Sequence, residues 1–175
     1  MKPKKTTTER VREAEEFVTR LKPLASDASR GERAALRRYW SEGTRAYALP
    51  VLGKLGAIGH SAKTITAALF ALHPSHALIR SFGDTCRRVA GKNKDTFEPH
   101  FRRLLSTTDI IELGDHLYRM VKRAERESIP VNYVQLLRDL NGWKYYADDI
   151  KTRWAKDFWQ AIDPLENENQ TTTGS

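Results

Sequence analysis

The sequence predicts an all-α protein, folded as one compact helical bundle or as two small helical subdomains, and three observations predict it. Apolar residues recur at the three- and four-residue spacing of helices in almost every segment. No segment shows the period-two alternation of a half-buried strand. Capping residues, prolines and glycines stand where the periodic runs stop. At 175 residues the chain is long enough for one sizeable core or two small ones, and 39% hydrophobic with 30% charged residues is ordinary for a globular domain.

The folded part is expected to span residues 9–162, because 1–8 and 163–175 are polar, lack periodicity and read as disordered tails. The first helix places Val11, Ala14, Phe17, Val18 and Leu21 on one face and stops at Lys22-Pro23. Over Ser29–Trp40, winding at about 100° per residue puts Ala35, Leu36, Tyr39 and Trp40 on one side and Arg30, Arg33, Arg37 and Arg38 on the other. Ser29 and Glu32 have the spacing of a capping box. Gly43, Pro50, Gly53, Gly56 and Gly59 then interrupt regular structure to about Ser61, which leaves helix boundaries within 43–61 open.

Ala62, Ile65, Leu69 and Leu72 form a further seam that Pro74 stops, and a turn through Ser81-Phe82-Gly83 leads to a basic helix with Arg87 and Arg88, closed by Gly91. Phe97, Phe101, Leu104 and Leu105 mark the next helix, flanked by Arg102 and Arg103. Asp109 and Glu112 start a long helix whose core line is Ile110, Leu113, Leu117, Met120, Val121 and Ala124, and whose opposite face reads Arg119, Lys122, Arg123, Arg126. Asn132 and Gln135 begin a helix that Asn141-Gly142 breaks or kinks. Trp143, Ala147, Ile150, Trp154, Phe158 and Ala161 line the last seam, which reads as core.

The formal net charge is +8, and the excess lies in the first two thirds, since Glu127–Ser175 is net acidic. No acidic residue occurs from Gly43 to Gly83, so Arg45, Lys54, Lys63 and Arg80 have no partner nearby in sequence; such cations suit phosphate unless acids elsewhere in the fold neutralise them. Catalytic constellations are absent from the sequence. His73-x-x-His76 has a proline between its imidazoles and no nearby cysteine or zincin glutamate, and Asp148-Asp149 would point about 100° apart on a helix, so no metal site is expected. No phosphate loop, dinucleotide fingerprint or serine elbow is present, and no cofactor is expected. The single cysteine, Cys86, forms no internal disulfide and fits a reducing compartment. Without an apolar run of ~20 residues or the apolar core of a signal peptide, the chain is expected in the cytoplasm, with no membrane contact. These residues read as a non-catalytic, polyanion-binding helical protein.

Five blocks in order carry a resemblance: Arg30-Gly-Glu-Arg-Ala-Ala-Leu-Arg-Arg38, Ala71-Leu-His-Pro74, Ser81-Phe-Gly83, Phe101-Arg-Arg-Leu-Leu105, and Leu136-Leu-Arg-Asp-Leu140 through Trp143 to Arg153-Trp-Ala-Lys-Asp-Phe158. With this order and spacing over about Arg30 to Trp159, the chain resembles the CasB family, the small subunit of the type I-E CRISPR surveillance complex, Cascade. The resemblance implies an all-helical, non-enzymatic subunit that serves antiviral defence. It implies two copies in the complex beside the backbone and large subunits, crRNA and target DNA, holding the R-loop in which the non-target strand is displaced. It also implies that Arg33, Arg37, Arg38, Arg102, Arg103 and Arg119, in matching blocks or on the long helix, bind nucleic acid. Charge and helical face add Lys63, Arg87, Arg88, Lys122, Arg123 and Lys144. Two other classes stand beside this one: a helix-turn-helix regulator reading duplex DNA, for which no compact three-helix unit is evident, and a metal-dependent nuclease, which lacks a convergent acidic cluster. The strand that each basic residue touches, direct crRNA contact and the oligomeric state of the isolated protein are not legible in the sequence.

Overall fold

The computed structural model describes residues 4–160, and among them eight α-helices are joined by short 3-10 turns and loops. They are α1 (Thr7–Leu21), α2 (Arg30–Arg37), α3 (Leu49–Lys54), α4 (Ser61–Leu72), α5 (Phe82–Ala90), α6 (Lys94–Ser106), α7 (Ile110–Arg126) and α8 (Tyr133–Trp159). The chain is all-α: its one β-type feature among the described residues is an isolated parallel bridge between His76 and Val131. Buried side chains from Ala14 to Phe158 join in one cluster, so the bundle has one core rather than two.

Two helices organise that core. α4 is apolar on nearly every side, burying Ala62, Ile65, Thr66, Ala67, Ala68, Leu69, Phe70, Ala71 and Leu72, as a helix surrounded by others must. It packs against α1, α2, α7 and α8, and its alanines allow close approach. The second is α8, whose stripe of Trp143, Ile150, Trp154 and Phe158 is buried as the spacing predicts, with Ala147 half-buried. Ala161 lies outside the described residues. The indole N–H groups on this stripe are satisfied: Trp143 donates to the Thr108 carbonyl at 3.1 Å, and Trp154 donates to the buried Asp139 carboxylate at 2.7 Å. Phe158 stacks on Phe101 with ring centroids 4.2 Å apart, which fastens α6 to the end of α8.

Glycine sets the approach of α5. A Cβ at Gly83 would stand 2.0 Å from the Trp154 carbonyl oxygen, so α5 can lie this close to the backbone of α8 only without a side chain there. The Ser81-Phe82-Gly83 stretch expected as a turn is thus the start of α5. Ser81 caps it by accepting the Gly83 N–H at 3.2 Å.

The structure corrects several other sequence expectations. α1 begins at Thr7, inside the expected tail of residues 1–8, because Thr6 and Glu9 form a reciprocal capping box, a signal that apolar periodicity does not carry. Residues 1–3 and 163–175 of the expected tails lie outside the described residues. Ser29 makes no side-chain cap, since a 3-10 turn over Asp27–Ser29 feeds directly into α2; Glu32 instead pairs with Lys54 at 3.4 Å. The interrupted stretch 43–61 contains a 3-10 segment, Glu42–Ala48, and the short α3, with Gly56 and Gly59 at positive φ in the turn before α4. Asp109 and Asn132 do cap α7 and α8. The kink in α8 falls at Tyr146 (φ −130°, ψ 23°) rather than at Asn141-Gly142. Gly142 is not required for it, since a Cβ there would make only ordinary contact, 3.5 Å from the Tyr146 ring.

Candidate nucleic-acid interface

α6 and α7 are amphipathic, and their polar faces meet along a groove. Burial of Phe97, Phe101 and Leu104 on one helix, and of Leu113, Leu117, Met120, Val121 and Ala124 on the other, fixes which residues point outward. The groove holds about 360 Å³ and is lined by His100 and Arg103 from α6 and by His116, Tyr118, Arg119, Met120, Lys122, Arg123 and Arg126 from α7. Among the described residues no carboxylate lines it. A second cavity of about 210 Å³, towards the α5–α6 turn, shares Arg123 and Arg126 and contains Glu127.

The cations of the groove are held in two ways. Arg123 lies over the Phe97 ring at 5.5 Å and Lys122 over the Tyr118 ring at 5.3 Å, so their stems are oriented while their charges reach solvent. The side chains of Arg103, Arg119 and Arg126 make no hydrogen bond, ion pair or ring contact among the described residues. Partial burial pulls His100 below the usual histidine pKa, and the charges of Arg123, Arg103 and Arg119 pull it further in the same direction.

Elsewhere the arginines anticipated from the sequence meet protein groups. Arg33 donates to the carbonyls of Leu24 and Ser26, both at 2.6 Å, and so fastens the turn before α2. Arg37 donates to the Ala71 carbonyl at 2.9 Å, satisfying an otherwise open acceptor in the last turn of α4. Arg38 lies over the exposed Tyr47 ring at 4.7 Å. Arg87 and Arg88 both pair with the buried Asp84, at 2.7 and 3.3 Å. Burial would raise the Asp84 pKa, but hydrogen bonds and charge from these two arginines outweigh it and hold the carboxyl below its usual value. Arg102 binds Glu98 and faces the Trp159 ring at 5.7 Å. Lys63 sits over Phe17 at 5.7 Å and Lys144 over Tyr145 at 5.5 Å.

Of the twelve anticipated residues, the structure therefore brings four together, Arg103, Arg119, Lys122 and Arg123, and distributes the others. His100 and His116 were not singled out from the sequence. Their signal was spacing: His100 lies three residues before Arg103, and His116 three before Arg119, so each shares a helical face with an arginine. The cations of the acid-free run have protein contacts too: Lys54 pairs with Glu32, and Arg45 donates to the Tyr39 carbonyl at 3.0 Å. His73 bonds the Ile129 carbonyl at 2.7 Å and His76 accepts the Tyr133 N–H at 3.1 Å, so both support the junction before α8. Asp148 and Asp149 are exposed. Among the described residues no group of three or more His, Cys, Asp or Glu side chains could hold a metal ion, and no helix is long and apolar enough to cross a membrane.

The family model for the CRISPR-associated protein Cse2 matches residues 32–159. The chain belongs to the Cse2 family. The Cse2 fold extends to solved structures. A Cse2-family protein from Thermus thermophilus is 26% identical, with a TM-score of 0.70 over 85% of this chain and 98% of that one. CasB from Thermobifida fusca is 18% identical, with a TM-score of 0.68 over 85% and 97%. A chain of a CRISPR RNA-guided surveillance complex is 20% identical, with a TM-score of 0.69 over 91% and 99%. No curated protein sequence matches the chain. The Cse2 match begins at Glu32 in α2 and ends at Trp159, the last residue of α8, so it contains the whole α6–α7 groove.

Proposed function

We propose that this Cse2-family chain is a non-catalytic small subunit of a type I-E CRISPR surveillance complex, acting in the cytoplasm in antiviral defence. It binds the sugar-phosphate backbone of nucleic acid without sequence preference and stabilises the R-loop, chiefly on the displaced non-target strand. Its partners are the backbone and large subunits, crRNA, target DNA and a second copy of itself. The α6–α7 groove carries this reading, because among the described residues five cations and two histidines line it without a carboxylate and three of its arginines have no protein partner. Likeness to a chain of a CRISPR RNA-guided surveillance complex supports the assembly.

The physical logic is that of a nearly balanced exchange. A guide–target heteroduplex is about as stable as the duplex it replaces, so modest backbone contacts shift the outcome. Sequence tolerance follows from guanidinium and ammonium groups that meet phosphate rather than base edges. With ~4–6 phosphates engaged, log K for the isolated protein falls against log[salt] with a slope of roughly −3 to −5. Fluorescence anisotropy with unrelated oligonucleotide sequences over a salt series measures this. Salt-independent binding, or strong preference for one sequence, would overturn the reading.

A further inference from the structure

The exposed tyrosines of the described chain fall into two settings. Tyr145 and Tyr146 stand at the α8 kink, within one turn of the exposed Asp148 and Asp149, with a single lysine, Lys144, over the Tyr145 ring at 5.5 Å. Tyr47, 60% exposed, lies instead in the 3-10 segment Glu42–Ala48, at the start of the acid-free run. Arg38 covers one face of its ring at 4.7 Å and makes no ion pair among the described residues. In the same segment Arg45 lies over Tyr39 at 4.9 Å, with its Nε held by the Tyr39 carbonyl and its outer N–H groups left open. Two arginine–tyrosine stacks thus link the adjoining 3-10 segments Arg38–Trp40 and Glu42–Ala48. One tyrosine is largely uncovered.

We infer that Tyr47, with Arg38 and Arg45, is a stacking platform for an unpaired base of single-stranded nucleic acid, separate from the phosphate-binding α6–α7 groove. The base stacks on the Tyr47–Arg38 pair, and the flanking phosphates meet the outer N–H groups of Arg38 and Arg45. Such a platform accepts any base, because every base offers a π face, and it rejects paired duplex, whose bases are already stacked. It rests on the nucleic-acid reading above but adds what the groove lacks, a means of telling unpaired bases from backbone.

The test compares two probes of equal length and charge, a thymidine oligonucleotide and an abasic deoxyribose-phosphate oligomer, bound to the full chain at low salt. The wild-type protein is expected to favour the thymidine probe by about 5- to 150-fold, the range of one stacked base. Tyr47→Ala removes that preference, Tyr47→Phe keeps it, and alanine at both Arg103 and Arg119 weakens both probes equally with the preference intact. Thermal unfolding verifies each fold, and Tyr47→Leu replaces the alanine variant if it unfolds. Weak binding of both probes by the wild type would overturn the platform and the groove together. A preference unchanged in Tyr47→Ala would overturn the platform alone. Normal preference with lost assembly onto partner subunits would make Tyr47 a protein contact and also overturn it.

Discussion

α2 and α7 each carry three arginines, yet the two helices use them differently. On α2, Arg33 and Arg37 end on backbone carbonyls, where they close the turn at Ser26 and the C-terminal end of α4. On α7, Arg119 and Arg126 end in solvent beside a groove without acids. The difference comes from what lies beyond each helix. α2 is short and faces chain ends with open acceptors, whereas the outer face of α7 looks across a shallow groove to another basic helix. A row of arginines is therefore open to a polyanion in proportion to the donors that the fold leaves unmet.

The largest expected effect sharpens this contrast directly. Changing Arg103, Arg119 and Arg126 together to alanine is expected to weaken nucleic-acid binding about a hundredfold, at about 1 kcal/mol per phosphate contact with some non-additivity. Thermal stability should change by less than about 0.5 kcal/mol per site, since no protein contact is lost. Anisotropy titration and calorimetry on one preparation measure both quantities. Unchanged binding would break the comparison.

Arginines tied to a buried acid come next. Asp84→Ala removes the carboxylate shared by Arg87 and Arg88 and is expected to cost about 2 kcal/mol, less than a fully buried pair because both arginines reach solvent. The folded pKa of Asp84 is depressed, so its stabilisation is present above the unfolded value near 3.8 and is lost as pH falls through the lower folded value. Acid unfolding of Asp84→Asn should accordingly lose part of the wild-type pH dependence below that value. An identical acid limb in both proteins would contradict the pairing.

Arg33→Ala should cost about 1–2 kcal/mol of stability through two lost charged hydrogen bonds, while the folded fraction binds nucleic acid within about twofold of wild type. Weakened binding at full stability would transfer Arg33 to the functional surface.

The smallest effect concerns pH. The His100 pKa lies below the free value of 6.5, so the neutral form is favoured in the unbound protein; a phosphate in the groove offsets the surrounding arginine charge and raises it again. Binding then takes up a proton, and affinity should rise by less than tenfold as pH falls from about 7 towards 5. His100→Gln should flatten part of that rise. A flat wild-type profile would show that phosphate does not approach His100.

Much of this molecule follows from the order of its residues. Helical spacing alone selected Leu36, Leu69, Phe101, Leu117 and the Trp143–Trp154–Phe158 stripe as core, because a helix that buries one face must repeat apolar side chains every three or four positions. Asp109 and Asn132 announced α7 and α8 because capping is satisfied within a few residues of chain. The same local rule failed at Ser29, where a preceding 3-10 turn already supplied the geometry, and at Asn141-Gly142, where the kink moved to Tyr146. The candidate site divides in the same way. Charge on the faces of α6 and α7 was legible, but which arginines are unpaired was not, since Arg37 finds its acceptor 34 residues away and Lys54 finds Glu32 at 22. Helical periodicity and capping are contacts within one or two turns, which sequence specifies. The pairing of a long charged side chain depends on whichever acceptor the packed helices bring within its reach, and only the tertiary structure decides that.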